Sequence, residues 1–238
     1  MTKSIVFASV TSLLIAAAQP VRAEQPSPAP VLTVRLYNFA GVPAKTVERA
    51  TEVAARVYAK AGIETKWMKC HTGTGEQLRN PACQEKPGPN VLLVRLLSKS
   101  MTARVKVNRH VFGFAAPSKT GGFGVIAAIF CHRVARLAEE VESSEGLILG
   151  HVLAHEIGHL LLGYGGHSKR GIMRLHWGES DLADAAIGQL VFTGKQIKKI
   201  RAQAEARENA VRAKLAPLRR QISTRFPARL GEAGTRKG

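Results

Sequence analysis

Acidic residues are scarce in this 238-residue chain: 17 Asp and Glu stand against 35 Lys and Arg, a formal net charge of +18. Such a balance favours anionic partners, whether cell-wall polymers, lipid head groups, nucleic acid or acidic proteins, and selects none of them. No base-reading module is recognisable, so nucleic acid is not the expected partner despite the charge. No internal repeat is visible, which excludes solenoid architectures. Beyond the N-terminus no apolar run approaches the length of a bilayer-spanning helix. Cysteine is limited to three residues, an odd number. Cys70 and Cys83 flank a turn-rich loop and are the expected disulfide in an oxidising compartment, whereas Cys131 lies in an apolar run and reads as a buried free thiol.

What the N-terminus does have is an export pattern. Lys3 supplies a positive start, Ile5 to Ala18 is apolar and uncharged, and Val21-Arg22-Ala23 suits cleavage after a small residue. Residues 1–23 are therefore expected to be a signal peptide, and the protein to be exported, periplasmic or secreted. Their removal takes Lys3 and Arg22 and no acid, leaving a formal charge of +16. Residues 24–30, with Pro26, Pro28 and Pro30, read as an extended lead-in. No cysteine-switch segment or long propeptide lies between Ala23 and Val31.

The remainder is long enough for one domain with a substantial core. Val31–Phe39 alternates like a strand. Pro43 opens a helix whose apolar face runs through Val47, Ala50, Ala54, Val57 and Ala61 until Gly62 stops it. Ile63–Met68 and Val91–Leu97 read as further strands, the latter a nearly continuous apolar run. Phe112-Gly113-Phe114-Ala115 and Gly121-Gly122-Phe123-Gly124 suggest an irregular glycine-rich loop beside a cleft. Val125–Phe130 is strand-like and His132–Glu142 helical. Ser143 or Ser144 could cap a helix over Glu145–Leu162 whose core side is Leu149, Val152, Leu153, Ile157 and Leu160. Gly178–Leu190 reads as a short helix, and Thr193-Gly194-Lys195-Gln196 has the capping-box spacing that starts a last one of about fifteen residues. This order implies an α+β fold, a mixed sheet with packed helices, over residues 31–193. Residues 194–238 hold thirteen Lys or Arg against three Glu and read as a basic helix followed by a partly disordered tail.

The chemistry concentrates in His155-Glu156-Ile157-Gly158-His159. Histidines four apart on a helix project from one face, the geometry two zinc ligands need. Glu156 lies beside them, placed to reach a water on the metal without binding the metal itself. Gly163-Tyr164-Gly165-Gly166 then breaks the helix so that the chain can turn back and bring His167 as a third ligand. Three protein ligands leave a fourth position open to water, the arrangement of a catalytic zinc site. Glu179, twenty residues beyond His159, is a rival third ligand by the spacing of thermolysin-like gluzincins, but the acidic pattern those enzymes carry after that Glu is missing. His151, one turn before His155, reads as a surface or capping residue, with a supporting role behind the ligands as the alternative. His176 reads as cleft lining or exposed.

From Gly150 to Trp177 the chain resembles the metzincin clan of zinc peptidases, which includes the matrixins; their signature is His-Glu-x-x-His-x-x-Gly-x-x-His followed by a methionine turn. His167-Ser168 and Gly171-Ile172-Met173 also look like matrixin-type sequence, and a short exported bacterial metzincin-like protein is the nearer comparison. Leu162 stands where the clan has Gly, Gly163 comes one residue later, and His167 follows His159 by eight residues instead of six. His176 and Trp177 occupy the stretch where many members carry a Tyr. The resemblance implies a zincin-like fold, one catalytic Zn²⁺ held by His155, His159 and His167, Glu156 as general base, and Met173 as the floor beneath the metal. It implies a zinc metallopeptidase acting on protein or peptide substrates. The alternative is a non-catalytic zinc-binding envelope protein that uses its basic surface to hold anionic polymers or lipid head groups.

Overall fold

The computed structural model describes residues 28–70, 72, 80–108, 110–118 and 122–225, the last eight by backbone alone. The expected signal peptide, most of the lead-in and residues 226–238 of the expected tail lie outside the described residues, as does much of the loop between Cys70 and Cys83.

Among the described residues, five strands and six helices form an α+β fold. In chain order they are β1 (Val31–Asn38), α1 (Ala44–Lys60), β2 (Glu64–Cys70), β3 (Val91–Leu97), α2 (Lys99–Thr102), β4 (Gly113–Ala116), β5 (Ile126–Phe130), α3 (Cys131–Glu140), α4 (Glu145–Leu162), α5 (Glu179–Ala186) and α6 (Gly194–Arg225). The sheet runs β2-β1-β3-β5-β4, with the first four strands parallel and β4 antiparallel to β5. Parallel neighbours need a crossover, which is why α1 separates β1 from β2. Central β1 and β3 bury Leu32, Val34, Leu36, Leu92, Val94 and Leu96 completely or nearly so.

The apolar face expected for α1 forms, and the helix stops where Gly62 adopts a left-handed φ of 71°. Cys70 at the end of β2 is disulfide-bonded to Cys83, and Cys131 is free and buried. Two expectations need correction. Phe112–Ala115 does not sit in an irregular loop: Gly113–Ala116 is a strand, because hydrogen bonding to β5 recruits it into the sheet. Short glycine-containing segments carry little strand signal of their own, so pairing decides them. The last helix is also not about fifteen residues long but runs for 32, with Pro217 inside it. The reciprocal cap is present at its start: Thr193 N donates to Gln196 Oε1, and Gln196 N to Thr193 Oγ1.

Helix α4 organises the interior, touching α1, α3, α5, α6, β4 and β5. One core-facing side was expected; thirteen of its eighteen residues are buried, so it is enclosed on nearly every side. Close approach of α1 depends on Gly150, where a Cβ would stand 2.7 Å from Ala50 O and 2.8 Å from Val53 Cγ1. Tyr58 of α1 donates its hydroxyl to Ala154 O, one residue before His155. From the other side Arg207 of α6, wholly buried, donates to Pro89 O, Gly124 O and Leu160 O. The Leu160 carbonyl belongs to the last turn of α4, which the helix leaves without an internal partner. Among the described residues no helix is long and apolar enough to cross a membrane.

Candidate metal centre

The α-helical spacing of His155 and His159 sets their imidazoles 3.1 Å apart between Nε2 atoms. Gly163 ends α4 with φ 75°, Gly165 turns at φ 72°, and the chain returns to deliver His167. One ring nitrogen from each of His155, His159 and His167 lies within 4.8 Å of the others. The two additional residues between second and third histidine are thus absorbed by a turn that only glycine adopts freely.

These residues fit zinc. With Zn–N bonds of about 2.0–2.1 Å, tetrahedral ligands stand roughly 3.4 Å apart, close to the His155–His159 separation. His155 Nδ1 contacts Ile172 O at 2.7 Å, so Nδ1 carries the proton and Nε2 keeps the lone pair toward His159. Burial holds both rings neutral, His155 at a pKa of about 4 and His159 at about 3, with neighbouring histidines adding to the effect. Desolvation and then His176 lower His167 as well. Neutral imidazoles are the form a metal binds.

Glu156 stands outside this set of donors but in the same cleft, 6% exposed. Desolvation pushes its carboxyl up to about 8. Gly113 of β4 makes room for it: a Cβ there would lie 2.9 Å from Glu156 Cγ and would collide with Ala128 O. Met173 is fully buried under α4, and a Cβ on Gly158 would stand 2.7 Å from its Sδ. The sequence assigns Gly158 no role; the close approach of the methionine does.

Other residues acquire roles that pattern alone did not signal. Trp177 Nε1 donates to the same Ile172 carbonyl that receives His155, and its ring meets His155 and His151 edge-on. Gln196, legible only as a cap, also donates Nε2 to Gly166 O and Ser168 Oγ, bracing the turn that carries His167. His151 is neither on the surface nor a cap: it is 1% exposed, with Nδ1 on Leu147 O. Enclosure of α4 on all sides explains this. Glu179 is exposed at the start of α5 and lies outside the histidine group, and His176 is exposed.

The cleft over the histidines measures about 280 Å³. Phe112, Gly113, Phe114, Tyr164, Leu175 and Trp177 are among the residues that line it. β4 pairs only with β5 among the described strands, so its second edge is free beside the cleft.

No protein-family model and no curated protein sequence matches the chain. Among solved structures, an archaemetzincin from Methanopyrus kandleri is similar at 16% identity and a TM-score of 0.45, over 73% of this chain and 96% of that one. Metalloproteinase-II from Bacteroides fragilis is similar at 15% identity and a TM-score of 0.42, over 76% of this chain and 55% of that one.

Proposed function

We propose that this protein is a zinc-dependent endopeptidase in which His155, His159 and His167 hold one catalytic Zn²⁺ and Glu156 is the general base. The observation that carries the reading is the convergence of three neutral imidazoles beside a buried carboxyl in one open cleft. Bound zinc supplies a Lewis acid for a carbonyl and brings the pKa of its water toward about 7. Ile172 O fixes the His155 tautomer, Trp177 orients that carbonyl, and Gln196 holds the turn bearing His167. Glu156 takes a proton from the attacking water and passes it to the leaving amine. Its raised pKa leaves it protonated at neutral pH in isolation, and a divalent cation nearby would favour the carboxylate the base requires. A peptide can lie extended along the free edge of β4, exchanging backbone hydrogen bonds as an added strand, with its scissile bond over the histidines.

Metal analysis and peptide-library cleavage on wild type and Glu156→Gln test this reading. Both proteins are expected to carry one zinc per chain, with hydrolysis in the variant reduced by roughly 10²–10⁴-fold. Equal turnover in the two would remove Glu156 from the mechanism. Bound zinc with no cleavage of any peptide by wild type would favour the non-catalytic envelope protein.

A further inference from the structure

A second groove, of about 360 Å³, lies between α1 and the C-terminal end of α5 and shares no lining residue with the cleft over the histidines. One wall is a single stripe of α1, where Arg49, Val53, Arg56 and Lys60 recur at helical spacing. Leu147 and His151 of α4 and Ile187 after α5 also line it, and no carboxylate does. Three cations against the single carboxylate of Glu52, which pairs with two of them, leave the groove net positive.

Both guanidiniums are available. Glu52 is their only ion-pair partner among the described residues, at 3.6 Å from Arg49 and 4.0 Å from Arg56. These separations exceed the 2.7–2.9 Å of a charge-assisted hydrogen bond. All three side chains are about half exposed or more, so the pairings are weak and exchangeable. Lys60 Nζ donates to Gly188 O, which holds it at the groove's rim. His151 is buried with Nδ1 on Leu147 O, and its Nε2 has no protein partner among the described residues. Alongside these polar groups, Val53, Val57, Leu147 and the 67%-exposed Ile187 offer apolar surface.

The geometry points to this groove as a binding site for a phosphate monoester bearing an apolar substituent, with Arg49 and Arg56 clasping the phosphate and Leu147 and Ile187 against the substituent. Arginine suits the role because its planar fork matches phosphate oxygens two at a time. The adjoining apolar wall distinguishes an ester from the bare ion. The site goes beyond the proposed hydrolysis and does not depend on it.

Calorimetric titration of the full chain with phenyl phosphate, with inorganic phosphate, and with phosphatidylcholine vesicles lacking or containing phosphatidic acid tests the assignment. Saturable one-to-one binding is expected, tighter for phenyl phosphate than for inorganic phosphate. Arg49→Gln and Arg56→Gln should each weaken it roughly tenfold, and Arg56→Lys should recover only part of the loss. A control pair, Arg104→Gln with Arg136→Gln, removes the same charge elsewhere and should change affinity less than about twofold. Binding of the soluble ester would identify a free metabolite as the source; binding confined to phosphatidic acid vesicles and lost in Arg49→Gln/Arg56→Gln would identify a lipid head group. An unchanged affinity in the double variant overturns the proposal, as do equal losses in the control pair or no saturation of any probe by about 10 mM.

Discussion

Replacing Gly158 with Ala sets two effects of opposite sign against each other. An alanine inside a helix is favoured over glycine by about 0.8–1.0 kcal/mol. The added methyl, however, would lie 2.7 Å from Met173 Sδ and 3.0 Å from Phe192 Cε1. Neither neighbour has room to retreat, since Met173 is 0% and Phe192 3% exposed. Overpacking a closed core costs about 1–3 kcal/mol. Crowding therefore prevails, and a net loss of roughly 1 kcal/mol is expected, a fall in Tm of about 2–4 °C for a domain of this size. Met173→Ala should relieve the clash, so the double variant should be more stable than the two single effects predict by at least about 0.5 kcal/mol. Because His155 and His159 flank Gly158 on α4, zinc affinity measured by competition with a chelator should fall in Gly158→Ala and recover in the double variant. Thermal unfolding of the four proteins provides the cycle. A Gly158→Ala protein more stable than wild type, with unaltered zinc affinity, would refute the packing of methionine under α4.

Trp177→Phe removes the donor to Ile172 O and should reduce zinc affinity about 10–100-fold while leaving the ligands in place, as read by chelator competition. Arg207→Met strands three carbonyls, those of Gly124 and Leu160 buried and that of Pro89 partly so, and should lower stability by roughly 3 kcal/mol in urea denaturation; Arg207→Lys should recover part of it. The metal-free protein should lose stability as pH falls from about 6.5 toward 4, because the unfolded chain then binds protons that His155 and His159, depressed to about 4 and 3, refuse in the folded state; His155→Gln should flatten that slope in denaturant titrations. Burial raises the Cys131 thiol to about 12, so alkylation at pH 8 should be slow in the native protein and fast in denaturant. Truncation after Lys214 should keep the fold and weaken binding to anionic vesicles, whereas deletion from Lys195 would remove the buried Ile200, Ala204 and Arg207 and unfold the chain; both outcomes can be followed by circular dichroism and vesicle flotation.

The histidine-bearing helix α4 was legible because its information is local. Histidines four apart, a glycine stop and a return to a third histidine follow from the dimensions of one helix and one turn. β3 and the start of α6 were readable for similar reasons, an unbroken apolar run and a reciprocal cap. β4 was not, since four residues with a glycine become a strand only once β5 lies alongside. The length of α6 was not legible because a proline ordinarily interrupts a helix, yet this one continues through Pro217. His151 looked like a surface residue because spacing along α4 does not disclose that partners enclose the helix on nearly every side.

Taken alone, the order of residues determined which three histidines could gather, the carboxyl beside them, the Cys70–Cys83 pairing and the mixed α+β character, all of which rest on contacts short in sequence or on composition. Only the folded chain decided what holds that set in place. Ile172 and Trp177 approach from beyond the turn, Gln196 from α6, Gly113 from an edge strand, and Arg207 from 47 residues beyond the Leu160 carbonyl it satisfies. Periodicity reports which face of an element is apolar, but it carries no record of which distant segment will arrive there.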